Sequence, residues 1–246
     1  MYGYNEAPIL AGNGGPGPSL WLAPLDITQA ELGLLADGVP AGERAAANRL
    51  HRPVDRRRRL AARAWLRRIL GGLLGCGADD VVLLRGEHRK PVLAGGGLNF
   101  SVSCSEGLAL FATSWDMEVG VDLQAGGVGT RRDLDAVASR FFTAPELDAI
   151  ASASEADRAS AVLQCWTCKE AYGKALGVGL DFPLREVATW RADGRPVDRG
   201  RWSVHQIAVG GGFHAALAGS GPPGWAPRPP RQLTLDCTEG ASNDQQ

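Results

Sequence analysis

No stretch of this 246-residue chain sustains an apolar run long enough to cross a bilayer, which excludes a helical membrane span. The opening segment, MYGYNEAPILAGNGGPGPSL, lacks a charged leader followed by a sustained apolar core, so it does not read as a secretory signal. Histidine is scarce, with four scattered residues and no zinc-ligand spacing. The five cysteines (Cys76, Cys104, Cys165, Cys168 and Cys237) are odd in number and lack framework spacing. They fit a reducing cytoplasm better than a disulfide scaffold. Net charge is nearly absent too, and a formal −1 argues against a generally basic nucleic-acid binder. A soluble cytoplasmic protein with no membrane partner is expected.

What is present is a hydrophobic fraction of 44%, enough for a sizeable core in one large domain or two compact halves. Charge is uneven, because Arg49, Arg52, Arg56 to Arg59, Arg63, Arg67 and Arg68 crowd one stretch. The ordinary reading of that run is a solvated helix face, which would also steer acidic partners.

Residues 1–19 are rich in Gly and Pro and read as a flexible segment, and residues 219–246 as a disordered tail. Between them lie a first half, 20–115, and a second, 116–218. The first opens with a strand over Leu20 to Leu25. A helix from Asp55 to Leu74 follows, with Leu60, Leu66, Ile69, Leu70, Leu73 and Leu74 as its apolar stripe and Gly75 and Gly77 as stop signals. Strands are expected over Val81 to Leu84 and Gly107 to Trp115, with Asn99 to Ser105 a polar segment between them. The second half has a short strand, Val119 to Leu123, a loop AGGVGTRRD and a helix over Leu134 to Arg140. Thr143 is placed to cap a further helix, with Glu146 three residues on. A long helix over Ala156 to Leu176 ends at Gly177. Strands near Val187 to Trp190, Trp202 to Val209 and Phe213 to Ala218 complete an α+β pattern.

Asp122 interrupts an apolar strand and so alternates to a different face from Val121 and Leu123. Trp166, Glu170 and Lys174 are spaced i, i+4, i+8 and share one helix face. Glu four residues before Lys is also an ordinary helix ion pair, but a hard carboxylate beside an ammonium suits phosphate chemistry. Cys165 and Cys168 form C-x-x-C inside that helix rather than at its start, without a second pair for zinc or a preceding strand for redox chemistry. Neither GNGGPG (12–17) nor AGGVG (125–129) has the lysine and strand–loop–helix frame of a phosphate loop.

Five blocks occur in order: RKPVL (89–93), NFSVSCSEGLALFATSWD (99–116), VGVDLQ (119–124), RFFTAPE (140–146) and CWTCKEAYGKALGVGL (165–180). In order and spacing they resemble the 4′-phosphopantetheinyl transferases, in particular the large pseudo-dimeric class typified by the surfactin-synthetase activator. The resemblance spans Trp21 to Ala218. It implies an α+β pseudo-dimer of two similar halves, monomeric, with coenzyme A in the cleft between them. The implied activity moves phosphopantetheine from coenzyme A to a serine of an acyl or peptidyl carrier protein in fatty-acid, polyketide or nonribosomal-peptide systems. Adenosine 3′,5′-bisphosphate is released, and Mg²⁺ assists. By motif position, Asp122 and Glu170 fall on the metal carboxylates, and Glu170 would also take the serine proton. Lys174 matches the lysine beside the reacting phosphate. Lys90, Arg58, Ser101, Ser103 and Lys169 fall at or near coenzyme A-binding positions.

Two departures stand out. Val102 replaces the family's phosphate-binding histidine, and losing one charged contact weakens binding by about 1.5–3 kcal/mol if nothing substitutes. Gln124 stands where a third acidic metal ligand is frequent, and its amide oxygen brings no negative charge. These changes define the alternative, a noncatalytic descendant that binds coenzyme A or a carrier protein without transfer.

Overall fold

The computed structural model describes residues 17–86, 88, 90–127, 131–178, 183–222 and 224–235. Most of the GNGGPG segment, Arg89, the AGGVG glycine at 129, the end of the fifth block (179 and 180) and Cys237 lie outside these residues. The chain divides into two compact units, one built on 23–81 and the other on 17–22 with 82–231. Among the described residues are six α-helices and ten strands. None of these described helices is long and apolar enough to cross a membrane.

In the first unit, α1 (Gln29–Leu35) starts from a capping box between Thr28 and Glu31. After α2 (Ala41–Asn48) comes α3 (Pro53–Leu74), which opens with proline in its first turn and stops at Gly75 in the left-handed conformation, φ 71°. Its buried stripe includes Ala61, Trp65, Leu66, Ile69 and Leu70. The arginine run is not simply a solvated face. Arg67 is 3% exposed, pairs with Glu43 at 2.9 Å and donates to Ala78 O and Val81 O. Arg68 donates to Leu34 O, and Arg57 to Ile27 O. Guanidinium groups here satisfy carbonyls at the ends of neighbouring segments, a use that composition does not reveal.

In the second unit, β1 (Ser19–Pro24), β4 (Asn99–Ser105), β5 (Leu108–Ser114) and β10 (Arg231–Gln232) form a sheet ordered β10-β1-β5-β4. A second sheet, β6-β9-β8-β7, contains β6 (Val119–Ala125), β7 (Val197–Arg199), β8 (Trp202–Ile207) and β9 (Phe213–Ser220). A hairpin pairs β2 (Leu83–Arg85) with β3 (Pro91–Leu93). The helices are α4 (Arg131–Phe141), α5 (Ala144–Ala151) and α6 (Arg158–Leu176). The α+β class expected from the pattern is the one observed.

Strand β6 is buried on both faces. Val119, Val121 and Leu123 join Leu20, Leu22, Leu110 and Leu217 in one core, while the other face lies against α6. A Cβ at Gly120 would sit 2.2 Å from both Ala171 O and Ala175 N, so helix and strand backbones approach as closely as they do only because residue 120 is glycine.

The segment 99–105, expected to be merely polar, is strand β4. Its serines point at β6. Val121 N donates to Ser101 Oγ (3.1 Å), Ser103 Oγ donates to Asp122 Oδ1 (2.8 Å), and Ala125 N donates to Ser105 Oγ (2.9 Å). A period-2 row of hydroxyls thus joins two sheet edges, which explains why polar residues occupy a buried strand.

Other differences are local. β2 begins at Leu83 rather than Val81. Residues 187–190 are not a strand; a 3-10 turn (Leu184–Glu186) precedes them, and the Thr189 and Trp190 N–H groups bond the Glu146 carboxylate instead of a ladder. Within the described part of the C-terminal stretch, the Trp225 ring packs on His205 with centroids 4.3 Å apart.

Candidate functional site

Three elements converge on Asp122, which β6 carries at 2% exposure. Burying a carboxylate demands compensation. Here Ser103 of β4 donates at 2.8 Å, Gln124 Nε2 of β6 at 2.8 Å, and Lys174 of α6 forms an ion pair at 2.6 Å. Lys174 also donates to Ser103 Oγ at 3.1 Å, so two of its three N–H donors are used within this cluster.

Glu170 stands one turn before Lys174 on α6. Its Oε1 is buried without a hydrogen-bond partner. Burial, then the charge of Asp122, raise its pKa to about 7, and Lys174 opposes them. The helix ion pair expected between Glu170 and Lys174 gives way to the Lys174–Asp122 pair. Two repelling carboxylates, one with an orphaned oxygen, and an amide side chain make a hard-oxygen donor set suited to Mg²⁺. Asp122 and Glu170 would hold such an ion, and Gln124, which now turns its amide N–H to Asp122, would join them only through its oxygen. No cluster of three or more His, Cys, Asp or Glu occurs among the described residues.

Two adjoining cavities, of about 340 and 220 Å³, open beside this cluster, and His88, Lys90, Pro91, Phe100 and Gly177 line both. The smaller is also lined by Ser101, Val102 and Lys174. Lys90 donates to Lys174 O (2.8 Å) and Val119 O (3.3 Å), tying the hairpin to the C-terminal end of α6. Burial pulls its pKa below the usual lysine range, with Glu118 opposing. Of the other predicted residues, Ser101 and Ser103 are turned into the strand seam, although Ser101 still borders the smaller cavity. Arg58 lies in the first unit, where it grips Asp26 through two bonds of 2.7 and 2.8 Å. That hydrogen bond holds the Asp26 carboxyl below its ordinary pKa.

Lys169 requires a correction. Expected to bind coenzyme A, it is 0% exposed, paired with Glu146 at 2.7 Å and bonded to Leu184 O and Val187 O. All three donors are used, so this lysine has nothing left for a phosphate. Sequence reasoning also missed His88, which lines both cavities from the turn between β2 and β3. Its only signal was its place beside the R-K-P block.

The class these features define is an α+β protein with a buried acid pair and a lysine beside a cavity. A profile of the 4'-phosphopantetheinyl transferase superfamily matches residues 118–218. The 4'-phosphopantetheinyl transferase HetI of Nostoc is 35% identical over 85% of this chain and 90% of its own length. The L-aminoadipate-semialdehyde dehydrogenase-phosphopantetheinyl transferase of Xenopus laevis is 30% identical over 54% of this chain and 47% of its own length. The chain belongs to the 4'-phosphopantetheinyl transferase superfamily.

Proposed function

We propose that this protein transfers the 4'-phosphopantetheine group of coenzyme A to a carrier-protein serine, in a Mg²⁺-dependent reaction that releases adenosine 3',5'-bisphosphate. The observation that carries the reading is the orphaned, buried Glu170 oxygen facing the charge of Asp122, with Lys174 alongside.

The serine oxygen forms a bond to the pantetheine-side phosphorus of coenzyme A as the bridging P–O bond breaks. Glu170, buried with an unpaired carboxylate oxygen, would accept the serine proton. Lys174 contributes positive charge next to the smaller cavity, where a leaving bisphosphate needs it. Bound Mg²⁺ supplies Lewis-acid stabilisation of pyrophosphate oxygens. Lys90 and His88, which border both cavities, would position the phosphates in this reading.

Val102 puts an apolar wall on the smaller cavity and favours a second reading, in which the protein binds coenzyme A or a carrier without transfer. Mass spectrometry of an apo carrier protein incubated with coenzyme A and Mg²⁺ separates the two. The transferase reading predicts a phosphopantetheine mass gain that Glu170→Gln abolishes. Measurable binding without a mass gain across several carriers would establish the second reading instead.

A further inference from the structure

We infer that the Lys169–Glu146 pair is a positioning device that helps set the rotation of α6 about its axis, and with it the direction in which Glu170 leaves the helix. The inference rests on the proposed role of Glu170.

Helix α6 has no single apolar stripe to fix its rotation. Val162, Leu163, Cys165, Cys168, Ala171, Tyr172 and Ala175 are all buried, and together they point to every side of the helix. Directional contacts then decide its rotation: Lys174 is held by Asp122 and Ser103 on one side, and Lys169 by Glu146 on another. Lys169 and Glu170 are consecutive, so about 100° of helix rotation separates their directions. Fixing one direction fixes the other.

The pin is fully built. Lys169 Nζ is held by Glu146 Oε2 at 2.7 Å, Leu184 O at 2.8 Å and Val187 O at 2.5 Å. Glu146 is anchored in turn. Its Oε2 accepts from Thr143 N and Thr143 Oγ1, both at 2.9 Å, and its Oε1 from Thr189 N (2.8 Å) and Trp190 N (3.3 Å). One carboxylate therefore ties the start of α5, the segment 184–190 and α6 to one another. Glu170 has no comparable restraint, because its Oε1 lacks any hydrogen-bond partner. A buried ion pair is a poor source of net stability compared with apolar side chains of the same size, so geometry is the property this one supplies.

The test uses the full chain and the double variant Glu146→Gln/Lys169→Met, which removes both charges together. Binding of Mn²⁺ at saturating coenzyme A is followed by electron paramagnetic resonance of the free ion, alongside kcat, KM and thermal unfolding. Groups that orient metal ligands typically change metal affinity or activity by about 10–100-fold, and a loss of that size in Mn²⁺ affinity and kcat is expected. KM for coenzyme A should stay within about twofold, since neither residue faces the cavities. A folded double variant with parental Mn²⁺ affinity and kcat overturns the inference. Should the double variant fail to fold, Glu146→Asp serves in its place: it keeps both charges, shortens one arm by a methylene, and is held to the same two outcomes. Glu170→Gln is the companion control. If it also retains Mn²⁺ binding and turnover, the reading of the site itself fails; if it loses both while the double variant keeps them, only the positioning role is overturned.

Discussion

At Glu170 a carboxyl that ordinarily titrates near 4.5 is moved to about 7, chiefly by burial and then by the neighbouring Asp122. The folded chain therefore holds that proton more tightly than the unfolded chain. Below about pH 4.5 both states are protonated and the site costs nothing. As pH rises towards 7 only the unfolded state ionises freely, so stability falls across this window and the full penalty is present above it. A carboxyl moved from 4.5 to about 7 corresponds to about 3–4 kcal/mol at roughly 1.4 kcal/mol per pH unit. Glu170→Gln should therefore stabilise metal-free protein by about that amount at pH 8 and by little at pH 4.5, as read by urea unfolding in EDTA. An equal effect at both pH values would mean that charge is not what burdens the site. Ser103 gives a second residue-scale expectation. Ser103→Ala removes a donor to Asp122 and an acceptor from Lys174, and should lower stability by about 1–2 kcal/mol in the same melts.

How closely α6 approaches β6 is set by glycine. Gly120→Ala places a methyl group 2.2 Å from helix backbone atoms that have nowhere to retreat. Overpacking of this kind costs about 1–3 kcal/mol or more, so a fall in Tm together with loss of turnover is expected; an unchanged Tm would show that the helix can slide away. At the start of α5 the Thr143–Glu146 capping box was legible from spacing alone and is present. Thr143→Ala should cost about 1 kcal/mol in thermal or urea unfolding. Long helices with capping glycines, α3 and α6, were readable within two or three residues because stop signals are local. The nature of β4 was not, since its serines are satisfied by β6, a strand distant in sequence. The short helices α1 and α2 escaped notice because neither presents a long apolar stripe. Lys169 was misassigned for a similar reason: its partners, at 146, 184 and 187, are assembled only by tertiary structure.

The molecule as a whole shows where sequence reasoning reached and where it stopped. Asp122 and Lys174 were singled out from their motifs, and the structure joins them in one ion pair beside a cavity. The cavities' walls combine His88 of the hairpin with Phe100 of β4, a pairing that no single motif announces. Val102→His should add a donor to the smaller cavity and lower KM for coenzyme A by about tenfold if phosphate passes there, since a charge-assisted hydrogen bond contributes roughly 1.5–3 kcal/mol. Initial rates against coenzyme A concentration decide it, and an unchanged KM would put the phosphates elsewhere. The row of serines between β4 and β6 has a consequence for the protein in a crowded solution. Each strand ends its sheet, and an unfilled edge is a template on which a second chain can polymerise. Ser101 and Ser105 occupy the outward N–H groups of Val121 and Ala125, so those two donors of the border nearest the site are not offered to a foreign strand.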